Sequence, residues 1–411
     1  MDIKSLALKT ELAQKDLSLI SEEFRAKALQ RVSEKLNLNK EKIIEENHKD
    51  IEKGKNEGLS EAFVDRLTLN EVRIQSMAEA VLSIAKGPKV LGEIVSEFKR
   101  DDGLIVQRER IPIGVIAMIF ESRPNVVIDC GALAFKSGNA IILKGGKEAN
   151  HSNKILTEIF QESIKEYVNP DVIQLLDSRG DLQEILSLKE HIDVVIPRGG
   201  EGLIQYVYEN SKIPVIAHFK GLCHIYVHED ADLEKASDIC MNAKTQRPGV
   251  CNAMETLLVH ESVANKLLPN LLAKLDSEGV EIRGCTQTKG LFPKAIEATL
   301  GDYYTEYLDK ILSVKIVPTH EKAISHIEEH GTHHTEAIVA KDPKVIEAFK
   351  KRVDASCIVV NASTRFNDGG ELGLGAELGI ATTKLHSYGP MGAREITTTR
   401  FVVQGEGHIR E

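Results

Sequence analysis

The sequence predicts an α/β protein built on a doubly wound parallel sheet. Three observations carry that expectation. Short, continuous apolar runs recur, as in Val115-Ile116-Ala117-Met118-Ile119-Phe120 and Ala140-Ile141-Ile142-Leu143. Such runs mark strands buried on both faces. Stretches of helical period separate them, which is the alternation of β-α-β units. Glycine-bearing turns close several of the strands, as in Lys144-Gly145-Gly146-Lys147.

The elements run in order. Residues 1 to about 95 read as helical, with apolar residues at three- and four-residue spacing among many Glu and Lys. Residues 96–112 read as a hairpin with Asp102-Gly103 at its turn and charges alternating along its arms. It is either an assembly device or a plain edge hairpin. From 113 the strands 114–120, 140–143, 172–176, 194–196 and 215–217 alternate with helices near 126–135 and 150–166. A second α/β region opens at Cys223-His224-Ile225-Tyr226-Val227 and holds another strand at 357–361. The expected division is a nucleotide-binding domain (1–95 and 113–222), the hairpin with the tail (96–112 with 397–411) and a catalytic domain (223–396) whose end partly returns to the nucleotide-binding domain. At 411 residues the chain is long for one core.

Hydrophobic content of 42% and charged content of 28% are those of an ordinary globular protein. A net charge of −10 argues against nucleic acid or an anionic membrane as main partner. Six scattered cysteines form no disulfide framework, so a reducing, cytoplasmic compartment is expected. The opening MDIKSLALKTELAQKDL has no long apolar core and does not read as a signal peptide.

The chemistry concentrates in Thr245-Gln246-Arg247-Pro248-Gly249-Val250-Cys251-Asn252-Ala253. Pro-Gly breaks regular structure, so Cys251 is expected on a turn leading into a helix, where free N–H groups and Arg247 would favour a thiolate. The other reading is a small core residue. In parallel sheets ligands lie beyond the carboxyl ends of strands, which singles out Lys144, Lys147 and the turn Arg198-Gly199-Gly200. Those glycines, like Gly373 and Gly375, also suit tight turns alone. His330-Gly331-Thr332-His333-His334 lacks the spaced partners of a zinc site and reads as a polar loop; no metal is expected.

Taken together, Gly114 to Lys144, the PRGGEG turn, TQRPGVCNAMETLLVH, HGTHHTEAIV, NASTRFNDGG and the closing GPMGAREITT resemble the gamma-glutamyl phosphate reductases, within the aldehyde dehydrogenase superfamily. The resemblance spans essentially the whole chain. It implies an aldehyde dehydrogenase-like fold with an oligomerisation hairpin. It also implies NADPH-dependent reduction of L-glutamate 5-phosphate to the semialdehyde through a Cys251 thioester, in proline biosynthesis. A homo-oligomer is implied, and association with glutamate 5-kinase is a further candidate.

Residue by residue, the resemblance makes Asn125 the candidate oxyanion amide, with a turn-capping role as the alternative. Lys144 matches the lysine at the adenosine ribose, and Glu306 the glutamate that fixes the nicotinamide ribose. Lys147 stands where NAD-preferring relatives carry a repelling Glu, which implies NADP(H). Arg247 and Arg365 suit anion clamps, since guanidinium pairs bidentately with phosphate or carboxylate. Aligning Asp230-Ala231-Asp232 with a similar acidic turn puts His218 where hydrolytic relatives carry their glutamate base. An acyl-CoA-reducing dehydrogenase and a catalytically silent nucleotide-binding scaffold are the competing readings.

Overall fold

The computed structural model describes residues 2–176 and 181–410 and divides into two compact units. Unit 1 comprises Met1–Ala217, Gly373–Gly379 and Leu385–Glu411; unit 2 comprises His218–Leu372 and Ile380–Lys384.

Unit 1 opens with helices α1 (Ile3–Leu19), α2 (Glu22–Leu38), α3 (Lys40–Asn56), α4 (Glu61–Leu67) and α5 (Glu71–Lys86). Ser21 and Asn70 cap α2 and α5 by accepting backbone N–H groups that have no partner within the helix. The helical stretch ends at Lys86, because Gly87 and Pro88 interrupt it. Strands β1 (Ile94–Lys99) and β2 (Ile105–Pro112) form the hairpin, and Gly103 takes φ +93° at its turn. The carboxy-terminal strand Thr397–Gln404 pairs antiparallel with β2, making a three-stranded sheet. β1 is an edge strand exposed along its whole length.

The rest of unit 1 is β3 (Val115–Phe120), α6 (Asn125–Lys136), β4 (Ala140–Lys144), α7 (Asn150–Ile164), β5 (Ile173–Leu175), α8 (Asp181–Ile185), β6 (Val194–Arg198) and α9 (Glu201–Asn210). The four strands are parallel in the order β5-β4-β3-β6, so the winding reverses beside β3. α1 packs on β3, β4 and β5, whereas α6 and α7 pack on the same sheet and on each other. Residues 215–217, expected as a strand, make only an isolated bridge, Val215 to Val195.

Unit 2 is a seven-stranded parallel sheet. Its elements are β7 (Cys223–Val227), α10 (Leu233–Thr245), β8 (Met254–His260), α11 (Glu261–Ser277), β9 (Glu281–Gly284), α12 (Thr286–Leu291), β10 (Ile296–Glu297), β11 (Ile311–Val317), α13 (His320–His330), β12 (Thr335–Val339), α14 (Pro343–Arg352) and β13 (Cys357–Val360). The strand order is β10-β9-β11-β8-β7-β12-β13. Successive side chains of one strand face opposite sides of a sheet. Ile225, Leu257, Val314 and Ala337 accordingly join a core with α10 and α11, while Tyr226, Leu258 and Ile338 join one with α13 and α14. The sheet is therefore covered on both faces, as parallel sheets are.

Candidate active site

The segment carrying Cys251 links the end of α10 to the start of β8. Cys251 sits on a turn closed by Ala253 N–H to Val250 carbonyl, and the turn leads into a strand, β8. The expected helix after Cys251 is thus corrected. No helix N-terminus faces the thiol from its own segment, so a helix dipole there does not activate it.

Cys251 is half-buried and lies at the amino edge of the unit 2 sheet. Several segments converge on that edge. Gly221, just before β7, is packed so closely that an added Cβ would stand 2.7 Å from Cys251 Cβ and 2.8 Å from its carbonyl carbon. Gly221 N–H donates to Glu306 Oε1 at 2.9 Å. Glu306 is thereby brought beside the cysteine turn through one glycine.

A buried chain of polar groups encircles the same turn. Cys223 Sγ donates to Cys251 carbonyl (3.1 Å) and lies 3.6 Å from His334 Nδ1. His334 Nδ1 meets Thr335 Oγ1 at 2.8 Å, and Asn367 Nδ2 donates to that oxygen at 2.7 Å. Asn252 Nδ2 closes the circuit by donating to Asn367 carbonyl at 3.0 Å. Burial, then Glu336 and Cys251, push the Cys223 thiol well above its ordinary range, so it stays a protonated donor.

Two arginines border the turn. Arg365 Nε donates to Gln246 Oε1 at 2.9 Å. Burial lowers its pKa, Asp368 raises it, the nearby Arg247 lowers it and Cys251 raises it. Arg247 is exposed, and among the described residues neither it nor the terminal nitrogens of Arg365 has a hydrogen-bond partner. Two guanidinium groups with open donors beside a cysteine form a site for an anion.

Beneath the turn, Lys244 is the penultimate residue of α10 and Glu255 the second of β8. Their side chains are 0% and 1% exposed and 2.8 Å apart. Glu255 also accepts Leu308 N–H at 3.2 Å. Burial dominates both groups, pushing Glu255 up to about 7 and lowering Lys244.

In unit 1 the expected cofactor residues gather at the carboxyl ends of β3, β4 and β6, where the winding reverses. Lys144 ends β4 and is half-buried. An added Cβ would strike Asn153 from Gly145, the Glu148 carboxylate from Gly146 and Glu121 from Gly199. Gly200 N–H donates to Glu121 Oε2 at 3.0 Å. The glycines at these strand ends make room for the side chains of Asn153, Glu148 and Glu121. Lys147 makes an exposed 3.7 Å ion pair with Glu57, an interaction of small weight. Arg198 turns toward the protein, donating to Leu378 carbonyl at 3.2 Å. Asn125 is the first residue of α6, and its Nδ2 donates to the half-buried Asp129 at 2.8 Å.

The aldehyde dehydrogenase family model matches residues 1–282. A gamma-glutamyl phosphate reductase from Carboxydothermus hydrogenoformans is 49% identical over 100% of this chain and 99% of its own length. The chain belongs to the gamma-glutamyl phosphate reductase family. The crystal structure of gamma-glutamyl phosphate reductase from Thermotoga maritima superposes with a TM-score of 0.96 at 43% identity, covering 99% of each chain. An acetylating aldehyde dehydrogenase from Geobacillus thermoglucosidasius, with TM-score 0.71 and 21% identity over 100% of this chain and 97% of its own, shares the fold. This member of the gamma-glutamyl phosphate reductase family is thus an oxidoreductase of the aldehyde dehydrogenase fold acting on a small molecule, and that fold works with a nicotinamide cofactor. No helix among the described residues is long and apolar enough to cross a membrane.

The histidine motif is a loop over residues 331–334 with His333 exposed, as its composition suggests, but His330 and His334 are buried. His330 closes α13, stacks on His326 (ring centroids 4.1 Å) and on Tyr304 (4.4 Å), and is buried. His334 is fully buried, with its ring 5.8 Å from that of His218. Sequence reasoning also missed Gly221, Glu255, Lys244 and Ser122. Ser122 lies two residues beyond β3, at φ +33°, and donates to Glu148 Oε1 at 2.7 Å. A glutamate inside the apolar run Met254–His260 was the one local signal for Glu255.

Proposed function

We propose that the chain reduces L-glutamate 5-phosphate to L-glutamate 5-semialdehyde and phosphate, with NADPH, in proline biosynthesis. The observation that carries this reading is the half-buried Cys251 bordered by two arginines with open donors. Arg247 and Arg365 hold the phosphate and α-carboxylate. The Cys251 thiolate attacks the acyl carbon and an S–C bond forms. The oxyanion is held by the Cys251 N–H and by the amide of Asn125. The acyl C–O bond breaks, phosphate leaves and a thioester remains. NADPH, when bound, supplies the hydride that reduces the acyl carbon. The C–S bond then breaks, freeing the aldehyde and restoring the thiolate.

Lys144, Lys147 and the Arg198-Gly199-Gly200 turn hold the cofactor, and Glu306, its direction fixed by the Gly221 N–H, orients the nicotinamide ribose. His218 occupies the place of the hydrolytic base, so water attacks the thioester slowly. The exposed edge β1 and the apolar Phe98 and Phe401 of the hairpin sheet suit self-association into a homo-oligomer.

Reverse turnover tests the reading. Glutamate 5-semialdehyde and NADP should yield NADPH only with phosphate or arsenate present. Rapid oxidation to free glutamate in phosphate-free buffer would show a hydrolytic dehydrogenase instead.

A further inference from the structure

The Lys244–Glu255 pair has no place in the bond-making steps above, yet it is among the most buried charge in unit 2. Burying two charges is costly, and well-packed apolar residues in their place are often as stable or more so. Stability alone is therefore a poor reason for this pair.

Its position supplies another. Lys244 and Glu255 flank the 246–253 segment on both sides, so their hydrogen bond closes the base of the Cys251 turn. The second carboxylate oxygen of Glu255 accepts the N–H of Leu308, a non-glycine residue held at φ +52°. That backbone region is disfavoured for a leucine and persists where surrounding contacts impose it. Glu306 lies two residues earlier and accepts the Gly221 N–H, and Gly221 is pressed against Cys251. One buried carboxylate thus joins the segment carrying the cysteine to the segment carrying Glu306.

We propose that Glu255, anchored by Lys244, is a positioning residue that fixes the Cys251 turn against the Glu306 loop through the Leu308 N–H. The proposal rests on Cys251 being the nucleophile. Its mechanism predicts that the acceptor oxygen matters more than the charge.

Two double variants separate these. Lys244→Met with Glu255→Gln removes both charges and keeps an oxygen for Leu308 N–H. Lys244→Met with Glu255→Leu removes both charges and the acceptor. The full-length enzyme is compared for kcat, for KM of NADPH, for the rate of Cys251 alkylation by iodoacetamide and for thermal melting. The Gln variant should keep kcat and alkylation within about threefold of the parent. The Leu variant should lose about tenfold to a hundredfold in kcat and shift both KM and alkylation rate, with comparable melting, as a misplacement near 1 Å would produce. Equal rates in the two variants would overturn the proposal. So would loss of rate in a normally melting Gln variant, which remains decisive if the Leu variant does not fold. Cys251→Ser is run alongside: full activity there would defeat the nucleophile reading on which the proposal rests, whereas equal rates in the two double variants defeat the proposal alone.

Discussion

Gly221→Ala isolates the packing around the nucleophile. A methyl at this position would stand 2.7 Å from Cys251 Cβ and 2.8 Å from its carbonyl carbon, with the carbonyl oxygen closer still. All three atoms belong to the cysteine's backbone or to its first side-chain carbon, so no flexible side chain can swing aside. Gly221 is not among the glycines with positive φ, so alanine brings no backbone strain of its own. Restoring ordinary contact moves the Cys251 backbone by about 1 Å. A displacement of that size at a reacting centre costs about a hundredfold in rate. The overpacking itself costs about 1–3 kcal/mol of stability. The assay is steady-state reduction with NADPH, paired with denaturant unfolding of the same preparation. The expected result is kcat lowered about a hundredfold in a folded protein with a modestly lower midpoint. A variant with kcat within threefold of the parent would refute the placement of Gly221 against the nucleophile.

Cofactor choice and pH dependence give further outcomes. Lys147→Glu should lower the NADPH/NADH ratio of kcat/KM by about tenfold or more, since a carboxylate repels the extra phosphate; each decade is about 1.4 kcal/mol. An unchanged ratio would remove Lys147 from cofactor selection. His326 and His334 are held neutral by burial, at about 2 and about 3, with neighbouring histidines adding to the shift. Both folded pKa values lie below the unfolded value of about 6.5, so the unfolded state binds more protons below that pH. Their contribution to stability is complete above about pH 6.5 and is lost as pH falls toward about 3. Thermal melting between pH 7 and 4 should show this decline, and His334→Gln should flatten it; an identical slope would contradict the assignment.

Much of the fold was legible because a buried parallel strand leaves a plain trace: β3, β4 and β6 each carry an apolar run. The strand after Cys251 was not, because a short apolar run has no period that separates strand from buried helix. The Pro248-Gly249 break placed the cysteine on a turn, and nothing local could say what the turn led into. Gly221 lies thirty residues before Cys251, and only the folded chain brings the two into contact. The histidines misled by type: His330 and His334 look polar in sequence, but aromatic stacking and neighbouring hydroxyl and carbonyl groups make them core residues. Glu255 and Lys244 become meaningful only as a pair, which their separation of eleven positions conceals.

The central claim is that Cys251 carries the acyl group. Its most direct test is the Cys251→Ser enzyme, measured for turnover of L-glutamate 5-phosphate with NADPH, for NADPH binding and for thermal melting. An unactivated hydroxyl is a far poorer nucleophile than a thiolate. Near-complete loss of turnover is expected with binding and melting retained, while the enzymes altered singly at Cys130, Cys223, Cys240, Cys285 or Cys357 lose much less. Parent-like turnover in the Cys251→Ser enzyme would contradict the claim.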